Sequence, residues 1–151
     1  MKEYLVRSTE QTEALGRAIG QAALASGRRR LFFALFGEMG VGKTAFTRGI
    51  AAAVSPSSQV RSPTYTVVNE YRGGTFPIFH FDMYRIEGGD DLASVGYTDY
   101  IAKEGYIVCE WSENILDELP TDALFITIER TASETERKIT VKGDGYEDIM
   151  P

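Results

Sequence analysis

Apolar residues fall along this chain in two periods, and the change from one to the other marks out its elements. KEYLVRS (2–8) reads as a first strand, and residues 10–26 carry Leu15, Ala18, Ile19 and Ala22 at helical spacing on one side. Ser8 followed three residues later by Gln11 is a capping-box pattern that starts this helix. LFFALF (31–36) is an unbroken apolar run, as expected of a strand covered on both faces. After it Phe46, Ile50 and Ala53 return at helical spacing in a helix that ends near Val54. SPSSQVRSPTYT (55–66) is polar, contains Pro56 and Pro63, and reads as a loop. TYTVVNEYR and TFPIFHFDMYR are strand candidates parted by Gly73-Gly74, which predicts an antiparallel hairpin. A short helix is expected between Gly88 and Gly96, then a buried strand at GYIVCEW and a loop to Pro120. ALFITIER and RKITVKG form a second hairpin, and the acidic end, 143–151, reads as a loose tail. The fold class that follows is α/β: one domain over 1–142, with a mixed sheet, antiparallel edge hairpins and helices on both faces.

Between the strand at 31–36 and the helix after it stands GEMGVGKT (37–44), which fits G-x-x-x-x-G-K-[ST]. In such a loop Gly37 and Gly42 let the backbone bend closely around an anion, so that main-chain N–H groups wrap a phosphate. Lys43 reaches the β- and γ-phosphates, and the Thr44 hydroxyl ligates Mg²⁺. The helix that follows points its positive end at the same anion. The alternative is a glycine-rich strand-to-helix turn with a surface lysine, but the strand before and the helix after favour the phosphate loop.

The 151 residues suit one domain with a real core, and 43% hydrophobic and 25% charged residues are ordinary globular values. The formal net charge of −6 argues against a protein that grips nucleic acid alone. The one basic run, Arg28–Arg30, is read as a solvated turn between helix and strand. The single cysteine, Cys109, sits in an apolar stretch and is expected reduced and buried. One histidine and one cysteine cannot build a zinc-type cluster. The sequence shows neither a signal segment nor a membrane-spanning run, so a cytoplasmic location is expected.

Hydrolysis or transfer needs a carboxylate beside Mg²⁺, commonly at the end of a neighbouring buried strand. Glu110 ends YIVC and Asp82 ends PIFHF, so each is placed to point into the crevice at the sheet's carboxyl edge. Glu110 would hold Mg²⁺, directly or through water, or polarise the attacking water. Trp111 reads from sequence as a packing anchor, and His80, on the same strand face as Asp82, as structural. Thr64 and Thr66 lie on a proline-flanked loop; they suit a γ-phosphate sensor, or simply a turn leading into a strand. No [NT]-K-x-D motif or LSGGQ-like stretch occurs, and the segment from Trp111 to Glu129 lacks the arginine of a kinase lid. Adenine is therefore the default base and water the default acceptor.

GEMGVGKT, SPTYT, HFDMYR, GYTDY and CEW, in this order and spacing, resemble the TsaE (YjeE) family over about residues 8–142. That resemblance implies a small ATPase of tRNA threonylcarbamoyladenosine synthesis, weak alone, that acts with TsaD and TsaB and meets tRNA through them. Its cofactors would be ATP/ADP and Mg²⁺. Carried onto this sequence, the family's pattern makes Thr44 and Glu110 the metal ligands and gives Lys43, Asp82, Glu110, Thr64 and Trp111 catalytic roles. Nucleotide binding falls to Thr9, Gly37, Glu38, Met39, Gly40, Val41, Gly42, Lys43, Thr44 and Arg137. Val41 departs from the small residue usual there. A small-molecule kinase and a nucleotide-gated binding module without turnover remain the alternatives.

Overall fold

A computed structural model describes residues 1–151. Seven strands form one sheet in the order β1-β7-β6-β2-β5-β4-β3. They are β1 (Lys2–Val6), β2 (Arg30–Phe36), β3 (Val68–Tyr71), β4 (Ile78–Asp82), β5 (Gly105–Glu110), β6 (Leu124–Arg130) and β7 (Arg137–Lys142). The four central strands, β6, β2, β5 and β4, run parallel. The flanks are antiparallel, β3 on β4 at one edge, β7 on β6 and β1 on β7 at the other. The mixed sheet with antiparallel edges is therefore as the sequence predicts.

Two apolar layers cover the sheet. On one face α1 (Thr9–Ala25) and α2 (Lys43–Val54) set Ile19, Phe46 and Ile50 against Phe33, Leu35 and Ile126. On the other, α3 (Gly89–Ser94), α4 (Tyr97–Ala102) and a 3₁₀ segment, Ser112–Glu118, bring Leu92, Tyr97 and Ile115 onto Phe32, Phe81 and Cys109. β5 is buried along its whole length, which explains its continuous apolar reading. Ser8 caps α1 by accepting from Gln11 N–H at 3.1 Å, while the Gln11 side chain reaches back to Arg7 N–H at 2.7 Å, one residue short of the ideal box. The two helices on the first face approach closely at Gly49, where an added Cβ would lie 2.1 Å from the Glu13 carbonyl oxygen.

Several elements differ from the sequence reading. The β3–β4 hairpin forms, but its connection spans 72–77 instead of two glycines. Gly73 is drawn away from a tight turn because its N–H donates to Ser55 Oγ at 2.7 Å and its carbonyl accepts from Ser57 N–H. β3 begins only at Val68, since Val67 has φ +68° and breaks the extended run. α4 was not anticipated; left-handed Gly96 separates it from α3. The stretch expected as a loop to Pro120 coils instead into the 3₁₀ segment 112–118.

The end of the chain is not a loose tail. A 3₁₀ turn, Glu147–Ile149, places Ile149 at 0% exposure in the larger core beside α1. Arg28, expected in solvent, holds this segment: it pairs with Asp148 at 2.9 Å, donates to Gly145 C=O at 2.8 Å and lies 4.9 Å from the centre of the Tyr146 ring. Apolar Tyr146, Ile149 and Met150 supply the reason, because they cover core that the sheet and α1 alone leave open.

Candidate functional site

The site lies at the carboxyl ends of the parallel strands, where β2 passes into the loop 37–42 and α2 begins. Gly42 caps α2 with φ +121°, and no side chain caps the helix. The first helical hydrogen bond runs from Phe46 N–H to Gly42 C=O, so the N–H groups of Lys43, Thr44 and Ala45 meet no protein acceptor. Three aligned donors at the positive end of a 12-residue helix make an anion cradle. Val41 is 3% exposed and roots the loop in the core beneath it, so the larger side chain found here fills core and not the cradle.

Lys43 is buried as well. Its Nζ donates to Gly37 C=O at 2.5 Å and lies 3.7 Å from the centre of the Trp111 ring. Burial pushes its pKa below the ordinary lysine value, opposed by the negative charges of Glu113, Glu110 and Asp82. Trp111 adopts a left-handed conformation, φ +58°, uncommon for a bulky residue, and this turn at the end of β5 lays its indole over Lys43. Tyr84 packs against the indole, with ring centres 5.0 Å apart and the planes tilted. Trp111 therefore lines the cleft while still packing on the edge of the second core.

Strand register supplies the carboxylates. Asp82 and Glu110 are directly paired at the ends of β4 and β5, so both side chains leave the same face at the same edge. Thr44 Oγ1 stands 3.4 and 3.5 Å from the two Glu110 oxygens. Asp82 accepts from Tyr84 N–H at 2.9 Å and from the Thr64 hydroxyl at 3.4 Å, which ties the 55–66 loop to β4. Thr66 instead turns to Asn69 at 2.8 Å and stays outside the group. Thr44, Glu110 and Asp82 are hard oxygen donors, the set that suits Mg²⁺. No three acidic or imidazole groups converge on one point.

These residues line a cleft of about 520 Å³ that also includes Thr9 and Trp111. A second cleft of about 380 Å³ adjoins it across Thr9, Gly40 and Gly42 and is walled by Thr135 and Arg137. Arg137 donates to the Glu134 and Glu136 carbonyls at 2.8 and 2.9 Å, while its buried Nε has no partner. Glu38 and Met39 turn away: Glu38 faces Arg130 at 3.7 Å and Met39 is 65% exposed, so only their main chain borders the cradle.

Two further groups carry the site. His80, fully buried, places Nε2 2.5 Å from Glu110 Oε2. Its position on the same face as Asp82 is visible in the strand alternation of HFD, but its partner is not. Glu113 accepts from Gly37 N–H at 3.1 Å, returned to the loop by the 3₁₀ turn after Trp111. No sequence pattern marks it.

The sequence profile described as "Threonylcarbamoyl adenosine biosynthesis protein TsaE" matches residues 6–139. The tRNA threonylcarbamoyladenosine biosynthesis protein TsaE of Bacillus subtilis is 35% identical over 149 residues, covering 97% of this chain and 91% of that protein. Its namesake in Aquifex aeolicus is 34% identical over 143 residues, 93% of this chain and 96% of the other. The crystal structure of Bacillus subtilis YdiB superposes with a TM-score of 0.78 at 31% identity, covering 98% of this chain and 90% of that one. With the profile and the relatives alike spanning most of its length, this chain belongs to the TsaE family of tRNA threonylcarbamoyladenosine biosynthesis.

Proposed function

We propose that the chain binds ATP with Mg²⁺, hydrolyses it slowly, and acts with TsaD and TsaB to support rounds of threonylcarbamoyl transfer to the tRNA adenosine beside the anticodon. The observation that carries this reading is the meeting of three free α2 amides with Lys43, Thr44, Glu110 and Asp82 on one cleft. The triphosphate would lie along the cradle, with the nucleoside in the adjoining cleft between Thr9 and Arg137. Lys43 would exchange the Gly37 carbonyl for phosphate oxygens, and bound phosphate would favour its charged form against burial. Mg²⁺ held by Thr44 and Glu110 would offset charge on the β- and γ-phosphates. Asp82, beside Glu110 at the same strand edge, would orient the attacking water, and Thr64 would contact the γ-phosphate from its loop.

Slow turnover follows from the arginines. Arg48 lines the cleft but is paired with Glu13 at 2.9 Å; Arg85 sits over the Tyr65 ring, and Arg61 turns toward Gln59. None is free to neutralise charge developing at the γ-phosphate, a contribution worth about 10³- to 10⁵-fold in comparable enzymes. Phosphate release measured with and without TsaD and TsaB tests this: faster release in the assembly is expected, and equal rates would count against it. Lys43→Ala is expected to abolish ATP binding by calorimetry, and Glu110→Ala to bind ATP without sustaining modification.

A further inference from the structure

Behind Glu110 a line of hydrogen bonds runs to the 55–66 loop without passing through the cleft. His80 Nδ1 lies 2.9 Å from the Tyr71 hydroxyl, and that hydroxyl meets the main chain of Arg61, 3.1 Å from its N–H and 2.9 Å from its carbonyl oxygen. Tyr71 is 6% exposed and His80 0%, so water satisfies neither.

For a neutral imidazole, counting protons favours one direction. If the Tyr71 hydroxyl donates to the Arg61 carbonyl, His80 must donate from Nδ1, and a neutral ring then turns its bare Nε2 toward the Glu110 carboxylate. In the other arrangement Arg61 N–H donates to Tyr71, Tyr71 O–H donates to His80 Nδ1, and His80 Nε2–H donates to Glu110 Oε2. The Arg61 carbonyl needs nothing more, because Asn69 Nδ2 already donates to it at 3.0 Å. Every donor then faces an acceptor with the imidazole neutral.

We propose that His80 is a positioning residue: through Tyr71 it locks the Glu110 carboxylate to the main chain of Arg61, so that the order of the loop bearing Thr64 and the aim of Glu110 at Thr44 rise and fall together. The role toward the metal rests on the function proposed above; the mechanical link does not. Thr64 and Asp82 already join the loop to β4 on the cleft side, so besides its bonds to Asn69 and Gly73 the loop is held both within reach of nucleotide and beneath it.

The experiment therefore has two arms. In ligand-free protein, trypsin cleavage after exposed Arg61 is followed against cleavage after Arg130, at the start of the β6–β7 connection, as the internal measure of general loosening. Tyr71→Phe, which removes only the hydroxyl, is expected to raise the Arg61 rate about 2- to 10-fold relative to Arg130, the value of one buried hydrogen bond. Glu110→Ala, at the far end, is expected to raise it too, with no further increase in the double variant. Unchanged cleavage after Arg61 in Glu110→Ala, or rates that multiply in the double variant, would overturn the link. His80→Leu should reproduce Tyr71→Phe; if it does not fold, Tyr71→Phe still decides.

In the second arm ATP affinity is measured by calorimetry with Mg²⁺ and with a chelator. Tyr71→Phe is expected to lose about 2- to 10-fold of the Mg²⁺-dependent gain while its metal-free affinity stays as in the wild type. A full gain retained in Tyr71→Phe refutes the aim of Glu110 by the chain. A wild type that gains nothing from Mg²⁺ refutes the metal role of Glu110 and leaves the proteolysis result standing.

Discussion

Ile149→Ala asks whether the last turn of the chain is structure or ornament. Ile149 is fully buried in the larger core, beside α1 and near Tyr146 and Met150. The substitution removes three carbon groups, about 2.4 kcal/mol of transfer free energy at 0.8 kcal/mol each. The cavity left behind adds to that, which puts the loss within the 2–5 kcal/mol measured for such changes; about 3 kcal/mol is expected. In a domain of this size the melting temperature falls by about 2–4 °C per kcal/mol, so a drop of about 6–12 °C should be seen. Urea unfolding followed by circular dichroism gives the same quantity from the midpoint, provided the slope is unchanged. A loss below about 0.5 kcal/mol, the range of surface changes, would mean that 143–151 is detached in solution.

Gly49→Ala should be costly for the opposite reason: its Cβ would meet Glu13 O at 2.1 Å and Arg17 N at 2.8 Å, so α1 must shift away from α2. A loss of about 1–3 kcal/mol in urea unfolding is expected, despite the better helix propensity of alanine. Cys109, whose thiol burial pushes up to about 12, should resist a thiol reagent at pH 8 and react at once in denaturant. Rapid labelling of the native protein would place it outside the core. The hydrogen bond from Arg28 holds the Asp148 carboxyl below its ordinary 3.8. A lowered carboxyl pKa stabilises the fold above the unfolded value and loses that effect as pH falls through the folded one. The melting-temperature gap between wild type and Asp148→Asn should thus be complete at neutral pH and close below pH 3.8; a gap independent of pH would refute the pairing.

The parallel centre of the sheet and its phosphate loop were legible because they are local: an apolar run, a glycine pattern and a helical repeat follow one another in the chain. Asp82 and Glu110 were legible for the same reason, each standing where its own strand stops. His80, Glu113 and Tyr71 act through partners 30, 76 and 9 residues away, and only the fold brings those partners together. Trp111 was legible only in part: it does pack on the second core, but the left-handed turn that swings it over Lys43 leaves no mark in composition. The last nine residues misled because their acidic side chains and glycines break any apolar period, while Tyr146, Ile149 and Met150 fill an opening that sequence cannot show.

The pairing of Asp82 with Glu110 makes the chemistry of this domain a matter of phase. A strand's side chains change face at each step, so deleting one residue within β4 would carry Asp82 to the face covered by α3 and α4 and bring Phe81 or Met83 toward Thr44. Lengthening or shortening either strand preserves the pairing only by even numbers, and the interior aromatics that oppose slippage, Phe79 and Phe81 among them, hold Asp82 beside Glu110 from the opposite face.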